Sequence, residues 1–214
     1  MARILIVGAS RGTGLQTVRK ALAAGHRVRA LARSAANIPI ENERLERITG
    51  DATDRTALIN ALEGIEAVIV TLGVAPSFAT VVSGTELFST ATRALVDTMR
   101  EKGVRRLVAM TGIGAGDSRG HGGFIYDWLV FPLLLKRVYD DKDVQEQIIR
   151  QSELDWTIVR PGLLTNGPET DRYRVLLDPA QWTAGSISRA DVADFLVKEV
   201  TDRRFIGRAP VIIG

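Results

Sequence analysis

Short, nearly continuous apolar runs recur along the chain, separated by longer segments of mixed polarity. Runs of this kind are typical of strands that are buried on both faces of a parallel sheet. The predicted strands are RILIV (3–7), RVRALAR (27–33), LERIT (45–49), AVIVTLG (67–73), RRLVAMTG (105–112), DWTIVRPG (155–162) and APVIIG (209–214).

The segments between these strands carry apolar residues at helical spacing. The predicted helices cover 13–24, 54–62, 84–102, 124–151 and 188–201. Asp54 caps the second helix, and the SRAD capping box at 188–191 starts the last. Pro132 is expected to kink the fourth helix.

Strands alternate with helices throughout, which indicates an α/β fold: a doubly wound parallel sheet in three α/β/α layers. We expect the dinucleotide-binding (Rossmann) strand order 3-2-1-4-5-6, with the final strand added at an edge. The 214 residues, 45% of them hydrophobic, suit a single domain over 1–214. Its segment from about 162 to 190 is predicted to form a small substrate-side region.

A glycine-rich turn, GASRGTG (8–14), follows the first predicted strand and opens the first helix. In this setting glycines let a pyrophosphate approach the backbone and the free N–H groups of the helix start. We therefore predict a dinucleotide cofactor here. The expected contacts are Gly8, Ser10, Arg11, Gly12, Thr13, Gly14 and Leu15.

The end of the second strand bears on the choice between NAD and NADP. NAD enzymes place an acidic residue there, about 20 residues past the glycines, where it accepts from the ribose 2′-hydroxyl. This chain has Arg33, and a guanidinium can grip a 2′-phosphate. Arg11 can reach the same phosphate from the glycine turn, so the pair predicts NADP(H). The alternative is two solvated arginines.

The spacing G-x-x-x-G-x-G resembles the nucleotide loop of the short-chain dehydrogenase/reductase superfamily. The strand-end motifs LAR, GDATD, VTLG, MTG and LDWTIVRPG, with SISRADVADFLVKEV near the C-terminus, resemble its atypical, compact NAD(P)H-binding group. That group includes NmrA-like proteins and the flavin reductase/biliverdin-IXβ reductase enzymes. Its members usually carry G-x-x-G-x-x-G, so Arg11 and Gly12 depart from their register.

The resemblance implies further cofactor contacts at the carboxyl ends of the strands. In the family, the residue matching Asp51 contacts the adenine amino group; the alternative is that Asp51 caps its own loop. The remaining expected contacts are Ala52 beside it, Thr71, Leu72 and Gly73 at the adenosine ribose, and Pro161 and Gly162 around the nicotinamide.

Enzymes of the superfamily combine a Ser or Thr after the fifth strand with Tyr-x-x-x-Lys on the next helix. The resemblance therefore makes Thr111 and Lys142 catalytic and cofactor-binding candidates. Val138 occupies the tyrosine position, and Tyr139, the third catalytic candidate, is expected to point elsewhere because one residue turns a helix by about 100°. Lys142 either holds the nicotinamide ribose or is solvated, and Tyr139 either donates a proton or packs.

Composition narrows the classes of partner. The absence of cysteine, with only His26 and His121, excludes disulfides and argues against a metal site, although His121 is a candidate substrate contact. Basic residues (28) and acidic residues (25) are interleaved, so we expect no nucleic-acid partner. The stretch FIYDWLVFPLLL (124–135) is shorter than the roughly 20 residues that span a bilayer. It lines a substrate mouth, or belongs to the core or a partner-facing surface.

Two functions fit these features. The first is an NADPH-dependent oxidoreductase that transfers hydride to a small electron-poor acceptor, such as a flavin, quinone or carbonyl. The second is a non-catalytic NADP(H)-binding sensor or regulatory protein of NmrA-like type, favoured by the displaced tyrosine. In either case we expect a cytoplasmic monomer or homodimer with no membrane contact.

Overall fold

A computed structural model describes residues 1–74, 85–120 and 136–214. The strands in these ranges are β1 (Arg3–Val7), β2 (Arg27–Ala32), β3 (Leu45–Thr49), β4 (Ala67–Val70), β5 (Arg106–Met110), β6 (Asp155–Pro161), β7 (Leu163–Thr165), β8 (Arg174–Leu176), β9 (Ser186–Ser188) and β10 (Val211–Ile213). The α-helices are α1 (Gly12–Ala23), α2 (Arg55–Ala61), α3 (Leu87–Glu101), α4 (Lys136–Arg150) and α5 (Arg189–Asp202).

An eight-stranded sheet forms the middle layer, in the order β3-β2-β1-β4-β5-β6-β10-β8. The strands from β3 to β10 pair in parallel, which confirms the predicted doubly wound order. The prediction that the final strand forms an edge is wrong, because β8 pairs antiparallel on the outer side of β10. A separate two-stranded sheet joins β7 and β9.

Strand β1 shows why the apolar runs are continuous. Ile4 and Ile6 pack into one core with α1 and α5, whereas Leu5 and Val7 pack into a second core with α2, α3 and α4. All four residues are at most 1% exposed. Because each face of the sheet carries its own helix layer, successive residues must all be apolar.

The predicted element boundaries are close to the observed ones where the pattern is strong. Asp54 accepts from the Thr56 N–H at 2.9 Å, and Ser188 Oγ accepts from the Asp191 N–H at 2.9 Å, as expected for the two predicted caps. Strand β4 ends at Val70 rather than 73. The predicted Pro132 kink and the 124–135 stretch lie outside the described residues.

The segment after β6 contains the elements that periodicity did not predict. Strands β7, β8 and β9 have three residues each, too few to show alternation. The segment is fastened to α5 by Asp191, which accepts from the Thr170 and Asp171 N–H groups at 2.7 and 3.0 Å. Tyr173 adds a bond to Asp194 at 2.8 Å. These bonds hold the segment beside the carboxyl end of β6.

Within the described residues, no helix has both the length and the apolar character that a bilayer crossing requires.

Candidate functional site

The glycine turn between β1 and α1 packs directly against the end of β4. A Cβ on Gly14 would lie 2.1 Å from the Gly8 carbonyl oxygen, and one on Gly8 would lie 2.9 Å from the Thr71 carbonyl oxygen. Gly8 also has φ of +86°, a conformation that favours glycine. Both glycines are therefore needed to bring the first turn of α1 this close to the sheet.

The start of α1 is open to an anion. Its N-cap, Arg11, makes no side-chain capping bond, and its first turn contains no acidic residue. The starts of α2 and α5 contrast with it, since Asp54 and Ser188 cap them. Uncapped N–H groups at the positive end of a helix dipole fit a phosphate group. This geometry meets the requirement of the predicted dinucleotide site.

The remaining loop residues divide between this surface and the core. Ser10 is partly exposed, and Gly12 is exposed beside it. Thr13 is buried, and its carbonyl oxygen accepts from Thr17 Oγ1 at 2.8 Å. The partly buried side chain of Leu15 packs against the first core, so it faces the sheet side of α1. Its backbone N–H bonds to the Arg11 carbonyl oxygen at 3.3 Å.

Arg11 and Arg33 are both exposed, and they follow the neighbouring strands β1 and β2. Neither side chain forms an ion pair within the described part of the chain. Two exposed guanidinium groups at adjacent strand ends are chemically suited to a 2′-phosphate.

Asp51 caps its own loop. Its Oδ1 accepts from the Thr53 N–H at 2.9 Å and from the Thr53 hydroxyl at 2.8 Å. These hydrogen bonds, assisted by the charge of Arg33, hold the pKa of Asp51 below its usual range. Ala52, next in the chain, is buried in the second core. The local role of Asp51 is thus present in the structure, and an adenine contact would add to it.

The residues that follow β4 contact the glycine turn and the second core. The Thr71 hydroxyl donates to the Val7 carbonyl oxygen at 3.0 Å and so joins β4 to the glycine turn. Leu72 packs against the second core. Gly73 is exposed, and a Cβ there would lie more than 4 Å from every other atom that the described ranges of the chain place near it.

Thr111 lies at the end of β5, where it is 5% exposed. Its hydroxyl donates to Glu146 Oε1 at 2.8 Å, and Glu146 also receives bonds from the Arg160 Nε (3.0 Å) and Nη2 (2.5 Å). Arg160 Nη2 also pairs with Asp117. The hydroxyl proton of Thr111 is therefore directed at a buried carboxylate rather than outward.

Lys142, on α4, reaches the same strand end. Its Nζ donates to the Thr111 carbonyl oxygen at 3.0 Å and lies 4.1 Å from the centroid of the Phe88 ring. Burial lowers the pKa of Lys142 to about 8, despite the opposing charges of Glu146 and Asp141. The alternative of a solvated helix residue is excluded. Lys142 is held against the predicted catalytic threonine.

Tyr139 also faces the end of β5. A Cβ on Gly112 would lie 2.8 Å from the Tyr139 hydroxyl oxygen. The expectation that Tyr139 points elsewhere is wrong. Positions three and four residues before Lys142 both flank its face of a helix, so Tyr139 remains on the site side although Val138 occupies the family position. Thr111, Tyr139 and Lys142 thus converge on one strand end.

Pro161 is the last residue of β6 and Gly162 follows it, and both are buried rather than on an open surface. Pro161 accepts from the Ile113 N–H at 3.0 Å, and Gly162 donates to the Ile212 carbonyl oxygen at 3.0 Å. A Cβ on Gly162 would lie 2.3 Å from the Gly185 carbonyl oxygen. Gly162 is therefore required for the close approach of the segment that leads into β9.

The two histidines differ in what the structure describes. His26 Nδ1 accepts from the Ala2 N–H at 3.1 Å in a buried position, which is a structural role. His121, the candidate substrate contact, lies outside the described residues.

Glu169, Asp171 and Asp194 bring carboxylate oxygens within 4.8 Å of one another, a spacing that a metal ion can bridge. Lysine ammonium groups lie among them: Lys20 pairs with Glu169 and Asp194, and Lys198 pairs with Asp171 and Asp194. These ion pairs compensate the acidic charge and tie the 169–171 segment to α1 and α5.

Sequence reasoning missed two groups at the site. Glu146 lies one helical turn after Lys142, and a helical wheel centred on Lys142 would have placed it on the same face. Arg189 lies near Gly12, with its Nε 3.7 Å from the position of a Gly12 Cβ. No sequence pattern near Arg189 or Gly12 predicts this contact, because it depends on how α5 packs across α1.

Comparisons with known proteins agree with this geometry. A family model described as NAD(P)H-binding matches residues 8–203. Sterol demethylase protein B of Methylococcus capsulatus is 32% identical over 176 residues, which cover 77% of this chain and 52% of that protein. The chain therefore spans about half the length of that relative.

Two solved structures resemble the whole chain. ChuY of Escherichia coli O157:H7, described as an anaerobillin reductase, is 25% identical with a TM-score of 0.80, and the match covers 99% of this chain and 96% of ChuY. A short-chain dehydrogenase/reductase of Veillonella parvula, solved with NADP, has a TM-score of 0.84 at 20% identity, covering 100% and 94% of the two chains. At that identity the second likeness shows the fold alone.

Proposed function

The chain belongs to the NAD(P)H-binding family, and from that premise we propose that it is an NADPH-dependent oxidoreductase. The family confirms the predicted nicotinamide cofactor, and the fold is that of the short-chain dehydrogenase/reductase-like proteins. Our proposal adds the phosphate preference, the acceptor and the residues. The acceptor would be a small electron-poor molecule, such as a flavin, quinone or carbonyl.

One observation carries the proposal: three reactive side chains meet at the end of β5, at the same edge of the sheet as the glycine turn. Lys142 Nζ donates to the Thr111 carbonyl oxygen, and the Tyr139 hydroxyl lies against Gly112. Ligands of open α/β sheets bind at the carboxyl ends of the strands. A cofactor held by the turn would extend toward these side chains.

The residues would hold the cofactor in sections. The turn from Gly8 to Leu15 would bind the diphosphate, and Arg11 and Arg33 would bind the 2′-phosphate. The remaining proposed contacts are Asp51 and Ala52 for the adenine, Thr71, Leu72 and Gly73 for its ribose, and Thr111, Lys142, Pro161 and Gly162 toward the nicotinamide. The bound dihydronicotinamide supplies the hydride.

The side chains at the end of β5 would supply the proton that a carbonyl acceptor needs together with the hydride. Tyr139 is our proposed donor to a carbonyl acceptor, and the positive charge of Lys142 would ease loss of that proton. Thr111 would orient the ligand through its oxygen lone pairs, since its proton is directed at Glu146. A flavin or quinone accepts hydride directly and can take its proton from solvent.

The proposal is tested by following NADPH oxidation with a flavin, a quinone and a small aldehyde. We expect turnover above the uncatalysed rate with at least one class, and slower turnover with NADH at equal concentration. Absence of turnover with all three classes would contradict the oxidoreductase proposal.

A second candidate is a non-catalytic NADP(H) sensor or regulatory protein. It is favoured by one observation, the Thr111 hydroxyl bound to Glu146 rather than available to a substrate carbonyl. It predicts tight NADP binding, little preference for the reduced form, and a protein partner. Robust turnover together with the absence of a recovered partner would rule it out.

The small-molecule substrate, the finer grouping with flavin reductase-like or NmrA-like proteins, the cytoplasmic location and the monomer or homodimer state all remain predictions. The single domain over 1–214, with a small substrate-side region at about 162–190, also remains a prediction.

A further inference from the structure

Arg189 brings a third guanidinium to the glycine turn. It is the first residue of α5, and its Nε lies 3.7 Å from where a Gly12 Cβ would be. Gly12 in turn is the first residue of α1. Two helix starts therefore meet at this point, one offering backbone N–H groups and the other a positive side chain.

Arg189 has no ion pair within the described ranges of the chain. Its Nη1 donates to Asn166 Oδ1 at 2.8 Å and to the Leu164 carbonyl oxygen at 3.4 Å, and both acceptors are neutral. Among the described residues no carboxylate oxygen lies within 4.0 Å of it. By contrast, the buried Arg106 and Arg160 both pair with glutamates.

An oriented guanidinium without a counter-charge, next to an uncapped helix start, is complementary to an anion. The neutral acceptors fix the direction of the Arg189 side chain without cancelling its charge. The first turn of α1 supplies no acidic residue that would compete for it. The diphosphate of a nicotinamide dinucleotide carries negative charge, which would balance the positive charge of Arg189 and of the start of α1.

We propose that Arg189 is a diphosphate-binding residue, supplied by α5 to the turn between β1 and α1. The inference rests on the proposed cofactor site and deepens it. Because NADPH and NADH carry the same diphosphate, Arg189 should contribute equally to both. This separates it from Arg11 and Arg33, whose proposed partner is present only in NADPH.

The test is a titration of the full chain with NADPH and with NADH, comparing the wild type with Arg189→Gln. We expect both affinities to fall by a similar factor, about ten- to a hundredfold, as for loss of a charged hydrogen bond. Arg189→Lys keeps the positive charge but lacks the planar set of N–H donors of a guanidinium, so it should recover part of the lost affinity. Arg93→Gln, at an exposed position on α3, removes the same charge and should change neither affinity.

Unfolding midpoints of the variants without cofactor separate misfolding from lost contact. Unchanged affinities in a folded Arg189→Gln protein would overturn the inference while leaving the proposed function intact. A loss confined to NADPH would also overturn it, since Arg189 would then read the 2′-phosphate. A wild type that binds neither cofactor would overturn the proposed function, and the inference with it.

Discussion

Arg11 and Arg33 are the residues on which the choice of cofactor depends. Both are exposed, follow neighbouring strands and lack an ion-pair partner among the described residues. We expect Arg11→Ala and Arg33→Ala each to weaken NADPH binding about ten- to a hundredfold and to leave NADH binding nearly unchanged. Titration of each variant with both cofactors measures this. Equal losses for NADPH and NADH would show that these residues do not read the 2′-phosphate.

Lys142 should make stability depend on pH. Burial lowers its folded pKa to about 8, from an ordinary value of 10.5. Between these values the unfolded chain binds more protons than the folded one, so the free energy of unfolding rises with pH across that window. Below pH 8 the folded protein bears the cost of a buried charge, about 3.5 kcal/mol at about 1.4 kcal/mol per pH unit.

The check is urea unfolding of the wild type and Lys142→Met at several pH values from 7 to 10. The stability difference between the two proteins should shift in favour of the wild type as pH rises above about 8. Parallel profiles would mean that Lys142 titrates normally, and its burial against Phe88 would then be in doubt.

Tyr139 should matter only for acceptors that need a proton with the hydride. We expect Tyr139→Phe to lower kcat with a carbonyl acceptor by about 10²–10⁴-fold and to leave a flavin or quinone reaction unchanged. Tyr173→Phe is a matched control, because the Tyr173 hydroxyl binds Asp194 on α5. An equal loss with every acceptor class would indicate that Tyr139 positions the cofactor instead of donating a proton.

At the scale of elements, a buried ion pair joins β6 to α4. Arg160 is fully buried and Glu146 is 2% exposed, whereas Arg150 lies 3.7 Å from the same glutamate and is 40% exposed. Removing one partner of a buried pair leaves an uncompensated charge. Exposed pairs contribute little because water and salt screen them.

We therefore expect Arg160→Met to lower the free energy of unfolding by about 3–5 kcal/mol and Arg150→Met to lower it by at most about 1 kcal/mol. Urea unfolding at neutral pH compares them directly. Similar values for the two variants would contradict the assignment of Arg160 as the charge that Glu146 requires.

Elements with strong patterns were predictable from the sequence, and the shorter ones were not. Strand β1 is a continuous apolar run because its alternate residues enter different cores. Strand β8 has three residues and pairs with a strand far along the chain, so nothing local marks it. The position of β10 inside the edge depends on that pairing, which is why the predicted edge was wrong.

The candidate site was predictable where one strand end and one helix start define it, as at Gly8 and Gly14. It was not predictable where two helices meet. Arg189 reaches Gly12 only because α5 packs on α1, and the direction of Tyr139 depended on which face of α4 turns to the sheet. Such contacts follow from tertiary packing, which spacing along the chain does not specify.

At the scale of the whole molecule, the two ends of the strands carry different features. The buried Arg106–Glu199 pair lies at the amino end of β5, where it joins β5 to α5. The reactive cluster and the glycine turn lie at the carboxyl ends, where α/β sheets bind ligands. The segment after β6 is bonded to α5 on the same side. The buried ion pair and the proposed site therefore lie at opposite ends of the strands.

Our central proposal is that the protein binds NADPH at the carboxyl ends of the strands and transfers its hydride to an acceptor. The direct measurement is a single turnover, in which protein loaded with NADPH is mixed with a flavin, a quinone or a small aldehyde and NADPH oxidation is recorded. We expect bound NADPH to react faster than free NADPH with at least one of these acceptors. Bound NADPH that reacts no faster than free NADPH with all three would contradict it.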